Sequence, residues 1–403
     1  MAPKAKGVGG FSGRKTILGI NGLGRIGKLT LWNQIGRKFF SGIVVNIGRE
    51  VGTRLEDIAD YIEKDSTYGS LHNYLYGHKS QRLISGIDEK KGIIKIDGIP
   101  VTILKETRNP ANINWGGHGV SIVVDATGKF LDPSIPADAK SGSLRGHLRD
   151  GVQKVIASAP YKVKDKIAPW PDDAVTVVMG INEADYQPSK HKFISAASCT
   201  TTCLSHMLKP LLAHFGADRI LGVTMSTVHA VTSSQEILDR LPKEGATDLR
   251  KNRSVMNNII LTTTGVLKTL ALVLPEMKKI GFIAESIRIP VNTGSLIVLV
   301  VSLHNDKPLT KEMINDIYRK AASKDKNGYL CYTDKQNVST DIVGVVGPAA
   351  IIEGNDTYTL NTEIKTSNKI SVPFGQAVIH GWYDNELGSF TNMLGNLIVK
   401  VAS

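Results

Sequence analysis

Short apolar runs of strand length alternate with stretches of helical period through the first half of the chain. The run at 15–21 predicts a strand, and the spacing of Leu29, Leu31, Trp32 and Ile35 after it predicts a helix. Further strands are expected at 42–47, around Leu83, and at 93–96, 101–104, 120–126, 152–157 and 175–179. A helix is expected at 55–63 and a hairpin turn at Asp97-Gly98. The polar stretch 132–149, with its Pro, Ser and Gly, reads as a loop followed by a short helix. Strands that alternate with helices make an α/β fold, a Rossmann-type doubly wound parallel sheet. The run 120–126 is apolar enough to be a central strand, and its carboxyl end, at Thr127-Gly128, is where such sheets bind ligands.

Beyond residue 199 the pattern changes. Cys203, Leu204, Met207, Leu208, Leu211 and Leu212 share one helical face. Strands are then expected at 220–225, 283–289, 296–303 and 358–360, with helices at 255–274 and 311–322 and a polar segment at 233–253. This predicts a C-terminal α+β domain with a mainly antiparallel sheet. The expected division is 1–198 with 386–403 as one domain, including a flexible extension at 1–14 and a helix from about 388 to 401, and 199–385 as the other.

Composition narrows this picture. The chain has 403 residues, three cysteines and a formal charge of +12. No apolar run approaches the roughly 20 residues of a membrane span, and the opening residues lack the apolar core of a secretory signal. Three cysteines without a Cys-x-x-Cys pair argue against a disulfide framework and for a cytoplasmic setting. No His cluster has zinc spacing, so no metal is expected. The positive charge favours anionic ligands such as phosphate esters. Basic residues are not interleaved with aromatics, which argues against nucleic acid as a partner.

Two stretches carry chemistry. The first is Gly22-Leu23-Gly24-Arg25-Ile26-Gly27, between a strand and a helix, the context in which G-x-G-x-x-G binds a dinucleotide. Gly22 would make the tight turn, Gly24 would admit the pyrophosphate, and Gly27 would let helix and strand pack closely. The next strand lacks the acidic residue that reads a free ribose and ends in Ile47-Gly48-Arg49-Glu50. Either Arg49 pairs with a ribose 2′-phosphate, so that NADP is accepted, or Glu50 reaches the ribose of NAD. The second stretch is Ser198-Cys199-Thr200-Thr201, at the start of a helix. The partial positive charge there favours a thiolate at Cys199, although a buried structural cysteine is equally compatible with the stretch alone.

Together with Thr227-Val228-His229-Ala230, Thr264-Gly265, Arg288-Ile289-Pro290 and Trp382-Tyr383-Asp384-Asn385-Glu386, these stretches fall in the order and spacing of phosphorylating glyceraldehyde-3-phosphate dehydrogenases. The chain resembles a divergent member of that family from Lys15 onward. The resemblance implies oxidation of D-glyceraldehyde 3-phosphate to 1,3-bisphosphoglycerate, with Cys199 as nucleophile, His229 as base, a thioester intermediate, and NAD or NADP as cofactor. It implies that Ser198, Thr200, Thr264 and Gly265 bind the attacking inorganic phosphate. Thr232 and Arg288 would bind the substrate's own phosphate. The backbone of Arg25 and Ile26, with Arg108 and Thr127, would line the cofactor path, and Asn385 would fix the nicotinamide carboxamide. A homotetramer is implied, with 233–253 crossing its interface. Erythrose-4-phosphate oxidation is the nearby alternative, and a non-catalytic basic paralogue the distant one.

The chain departs from the family's pattern at Ala196 and Thr202, where amides would brace the cysteine turn, and at 292–298. It carries extra residues near the N-terminus, at 131–150 and at 353–373.

Overall fold

The computed structural model describes residues 16–163, 170–304, 307–365 and 371–403. The extension expected at 1–14 lies outside them. The chain divides into two compact units. One comprises the chain up to Val175, Tyr186–Ala196 and Leu394–Ser403; the other comprises Thr176–Asp185 and Ala197–Met393.

Among the described residues nine strands form the first sheet. Their order is Ala174–Thr176, Phe193–Ser195, Lys154–Ala157, Val120–Asp125, Ile17–Asn21, Gly42–Asn46, Ile99–Leu104, Ile93–Ile96 and Ile84–Asp88. From Phe193–Ser195 to Ile99–Leu104 neighbouring strands run parallel; the last two pair antiparallel. The hairpin at Asp97-Gly98 forms as expected. Both residues have positive φ, +48° and +83°, and Ile96 pairs with Ile99, the geometry of a two-residue turn that follows sheet twist. Val44, Val123, Val155, Trp115 and Phe193 share one buried core.

The second sheet has seven described strands, in the order Ile260–Thr262, Gly281–Arg288, Ile220–His229, Ser295–His304, Ser371–Tyr383, Ala350–Lys365 and Leu330–Thr333. Most neighbours are antiparallel, but Ile220–His229 lies parallel to Gly281–Arg288, and Leu330–Thr333 parallel to Ala350–Lys365. The helix Cys199–Phe215 packs on this sheet. Gly381 makes room for it: a Cβ there would sit 2.4 Å from Met207 Sδ. Tyr318 Oη donates to the Met207 carbonyl at 2.8 Å. Val178 joins the same core, which accounts for the inclusion of 176–185 in this unit.

Some elements differ from expectation. The helix at 255–274 shortens to Val266–Val273, because Ile260–Thr262 is a strand against Gly281–Arg288. The β-branched run Thr262-Thr263-Thr264 favours extended backbone. The final helix begins as a π-helical turn, Leu387–Thr391, before Asn392–Ala402. The helix Leu71–Tyr76 and the strand Ser371–Tyr383 have no counterpart among the expected elements. No described helix is long and apolar enough to cross a membrane.

Near the glycine loop, the fully buried carboxylate of Asp65 receives both Arg25 and Lys28, the latter at 2.8 Å. Burial pushes its pKa up, but the Lys28 and Arg25 hydrogen bonds, with the Thr67 and Tyr68 amides, outweigh that and hold it at about 2. The folded value lies below the ordinary 3.8, so the stabilisation, about 2 kcal/mol, is present above pH ~4 and lost as pH falls toward ~2. Asp65→Asn should abolish that segment of the pH–stability curve. It should also lower the unfolding free energy at pH 7 by about 2–3 kcal/mol in urea titrations.

Candidate active site

The glycine loop meets its steric requirements. Gly22 has φ +97°, which a side chain tolerates poorly. A Cβ on Gly27 would lie 1.9 Å from the Gly22 carbonyl, whereas one on Gly24 would meet nothing within 4 Å. Gly22 and Gly27 therefore serve the protein's own packing, while Gly24 leaves open space before the helix Arg25–Arg37. Gly24 is the N-cap and has no side chain with which to cap the first turn, so the positive helix end is available to an anion. Only the backbone of Arg25 and Ile26 belongs to this feature, since the Arg25 side chain goes to Asp65.

A cavity of about 830 Å³ opens beside the loop, lined among others by Gly22, Asn46, Arg49, Arg108, Thr127 and Lys129. Thr127 is held by Asp125, whose Oδ1 accepts its N–H at 3.0 Å and its hydroxyl at 2.7 Å. Asp125 is itself buried on His147 and Asn21, at 3.1 and 2.8 Å. Arg108 Nε donates to the Gly48 carbonyl at 3.3 Å. Glu50, the candidate for the ribose, pairs instead with Lys105 at 3.1 Å. One carboxylate, Asp132, does line the cavity, and its Oδ1 accepts from Ser134 N–H and Oγ at 3.0 and 2.5 Å. The shape of the loop and the cationic lining fit a dinucleotide.

In the second unit Cys199 opens its helix. Ser198 is the N-cap; its Oγ accepts the Thr201 N–H at 3.1 Å. Ala197, just before it, is left-handed at φ +58°, a conformation that costs about 1–2 kcal/mol outside glycine. Ala196 and Thr202 take no part in side-chain bracing of this turn; Thr202 continues the helix by donating its N–H to the Ser198 carbonyl at 2.8 Å.

Cys199 Sγ lies 3.6 Å from His229 Nε2 and 4.0 Å from Thr200 Oγ1. His229 Nδ1–H donates to the Ala230 carbonyl at 2.7 Å, which leaves Nε2 as the nitrogen able to accept the thiol proton. Parallel pairing places Arg288 beside His229 in register. Arg288 Nη1 shares the Ala230 carbonyl at 3.1 Å and lies against His229 Nδ1. Asn385 Nδ2 stands 3.2 Å from both imidazole nitrogens.

Charge and burial oppose each other here. Burial pushes the Cys199 thiol up, while Arg288, the Thr200 hydrogen bonds and Asn385 pull it down; the net direction is up. Burial and then Arg288 push His229 down, to about 3, against the Ala230 hydrogen bond. Burial thus opposes the ionisation that the helix end and Arg288 favour. Sulfur and imidazole nitrogen face each other directly.

Not every candidate joins this group. Thr200 does, its hydroxyl 3.1 Å from the Tyr383 hydroxyl. Thr264 Oγ1 instead accepts the Val266 N–H at 3.3 Å at a helix start of which Gly265 is the N-cap. Thr232 donates to Gln235 Oε1 at 2.8 Å in an exposed turn. No hydrogen bond among the described residues links Thr232, Thr264 or Gly265 to Cys199, His229 or Arg288. The structure adds residues that spacing did not single out. Tyr383 Oη sits between Thr200 and Thr227 Oγ1, the latter at 2.8 Å, with its ring edge-on to His229. Burial keeps Tyr383 far above the usual phenol range, so it remains a hydroxyl. The signal was its place in Trp382-Tyr383-Asp384-Asn385: a buried tyrosine must find polar partners. Cys203 is buried in the core, and no cluster of potential metal ligands occurs among the described residues.

Arg288 favours the thiolate electrostatically, so Arg288→Leu should move the pH profile of Cys199 alkylation by iodoacetamide to higher pH by about one unit or more. An unchanged profile would show that the guanidinium does not act on the thiol.

Residues 16–133 match the glyceraldehyde 3-phosphate dehydrogenase NAD binding domain, and residues 198–385 match the glyceraldehyde 3-phosphate dehydrogenase C-terminal domain. The chain is 38% identical over 389 residues to the glyceraldehyde-3-phosphate dehydrogenase of Streptomyces coelicolor, covering 96% of this chain and 98% of that protein. It is 36% identical over 387 residues to glyceraldehyde-3-phosphate dehydrogenase 2 of Streptomyces avermitilis, with 96% and 98% covered. To the Borreliella burgdorferi glyceraldehyde-3-phosphate dehydrogenase it is 36% identical over 379 residues, with 94% and 97% covered. With both halves matched in order and relatives aligned end to end, the chain belongs to the glyceraldehyde-3-phosphate dehydrogenase family.

Proposed function

We propose that the protein oxidises D-glyceraldehyde 3-phosphate to 1,3-bisphosphoglycerate through a thioester on Cys199, with inorganic phosphate as second substrate and NAD or NADP as cofactor. The observation that carries this reading is Cys199 Sγ at a helix start, 3.6 Å from a histidine nitrogen free to accept its proton. His229 Nε2 takes that proton as sulfur bonds to the aldehyde carbon, giving a thiohemiacetal. The Cys199 N–H and the imidazole stabilise the oxygen's developing charge. His229 returns its proton to that oxygen, forming the hydroxyl, and takes it back as hydride leaves the carbon and the thioester forms. The nicotinamide ring, when bound, supplies the hydride acceptor. Inorganic phosphate attacks the thioester carbon, and Cys199 leaves as thiolate with the acyl phosphate as product. Arg288 and Thr232 take the substrate's phosphate; Ser198, Thr200, Thr264 and Gly265 take the attacking one.

Production of reduced cofactor from glyceraldehyde 3-phosphate should require inorganic phosphate. Cys199→Ser should lower turnover by at least about 10⁴-fold and leave dinucleotide binding intact. Full activity in that variant would overturn the assignment. Preference for erythrose 4-phosphate would redirect the substrate, and no turnover with either aldose would leave a non-catalytic paralogue.

For the cofactor, Arg49 and Arg108 in the cavity, with Glu50 committed to Lys105, support acceptance of a 2′-phosphate. Arg49→Ala should raise KM for NADP about tenfold or more while changing that for NAD little. A strong native preference for NAD would sink this part. The homotetramer is supported by apolar side chains in 233–253 that the single chain leaves in solvent: Ile237, Leu238 and Leu241 are 68%, 77% and 87% exposed. Sedimentation should give four copies, and Leu238→Asp with Leu241→Asp should reduce that number.

A further inference from the structure

The segment 292–298, where the chain departs from the family's pattern, is a turn that runs into the strand Ser295–His304 and bonds to Asn385 and to the Ala230 peptide beside His229. Asn385 Oδ1 accepts from the Ser295 hydroxyl at 2.9 Å and the Gly294 N–H at 3.1 Å, with Thr293 Oγ1 at 3.4 Å. Because its oxygen is taken, the Asn385 amide cannot flip, and its Nδ2 is left facing His229. The same Ser295 hydroxyl accepts the Ala230 N–H at 3.0 Å, the peptide adjoining His229. One donated and one accepted bond use the hydroxyl consistently. Thr293 Oγ1 donates to Asp384 Oδ1 at 2.8 Å. Asp384 also receives the N–H groups of Gly344, Glu386 and Gly388, at 3.0, 3.0 and 2.9 Å, and so holds the turn that carries Asn385. Ser295 and Asp384 are wholly buried and Thr293 nearly so. Gly294 has φ +85°, and a Cβ on it would lie 2.9 Å from the Ser339 carbonyl, so the N–H that meets Asn385 requires glycine here.

We propose that Thr293-Gly294-Ser295 is a positioning clamp for the catalytic pair: Ser295 ties the His229 backbone to the Asn385 amide, and Thr293 fixes the turn behind it, so that Asn385 Nδ2 is aimed at the imidazole and the thiol. The clamp rests on the reading of Cys199 and His229 as the reacting pair. It acts on Cys199 through Asn385, one of the groups that pull the thiol down. Its loss therefore moves the thiol to higher pH. Arg288, His229, Tyr383 and Cys203, the other charged or titratable groups around the thiol, are unchanged in every variant below.

The test uses the full chain, with the pH dependence of Cys199 alkylation by iodoacetamide as the first readout, which requires no turnover. Ser295→Ala should shift that profile to higher pH. With glyceraldehyde 3-phosphate as substrate it should lower kcat about tenfold to 100-fold, with a smaller change in KM. Thr293→Val should do the same more weakly, and Thr293→Ser should restore the parent profile. If both profiles superimpose on the parent's, or if only thermal stability falls, the clamp is a structural feature and the proposal is overturned. If the shift appears but no aldehyde is turned over by the parent, the clamp stands and the substrate reading fails.

Discussion

One backbone residue, Ala230, organises the surroundings of the Cys199–His229 pair. Its carbonyl collects the His229 Nδ1–H and the Arg288 guanidinium, and its N–H rests on Ser295. The first contact fixes the imidazole tautomer and turns Nε2 to Cys199. The second brings a permanent positive charge within reach of both groups. A carbonyl with two lone pairs can serve both donors, which is how an imidazole and a guanidinium can lie so close together. The parallel pairing of Ile220–His229 with Gly281–Arg288 makes this possible, because it sets His229 and Arg288 side by side at the ends of their strands.

That arrangement makes burial the ruling electrostatic fact. His229 is buried and Cys199 partly so, and burial makes each resist carrying charge by itself. Arg288 tips the balance asymmetrically: it lowers the thiol and lowers the imidazolium, favouring proton loss from both. Both groups feel the same guanidinium, so an anionic ligand that drew Arg288 away would change both together. Tyr383, Thr200 and Thr227 surround the pair with neutral hydroxyls, which orient it without adding charge.

Much of this was legible in residue order. The alternating apolar runs correspond to a parallel sheet, the glycines of 22–27 meet distinct steric demands, and Asp97-Gly98 makes its turn. The mixed character of the second sheet was not legible, since parallel pairing of 220–229 with 281–288 joins strands about fifty residues apart with no local sign. A helical period at 255–274 hid the short strand Ile260–Thr262, whose partner is remote in sequence. At the site, spacing and resemblance indicated Cys199, His229, Arg288 and Asn385, which the structure brings together. Tyr383 and Ser295 were missed because a buried hydroxyl's role depends on which partners the fold brings to it. How far burial offsets the helix end at Cys199 was hidden for a related reason: the charge of a helix terminus can be read from sequence, but the depth of burial cannot.

The division of the chain into two units bears on how the molecule is made. The polypeptide passes from one unit to the other at 175/176, 185/186, 196/197 and 393/394. The nucleotide-binding unit is therefore assembled from segments far apart in sequence, Leu394–Ser403 among them. Gly395 in that segment stands against Asn33, where a Cβ would lie 2.0 Å from the amide oxygen. The helix behind the glycine loop is thus covered by residues remote in sequence, a long-range contact of the kind that forms late in folding. A chain cut before Leu394 would keep the cysteine and the histidine yet lack a piece of the first unit, so distant parts of the sequence depend on one another.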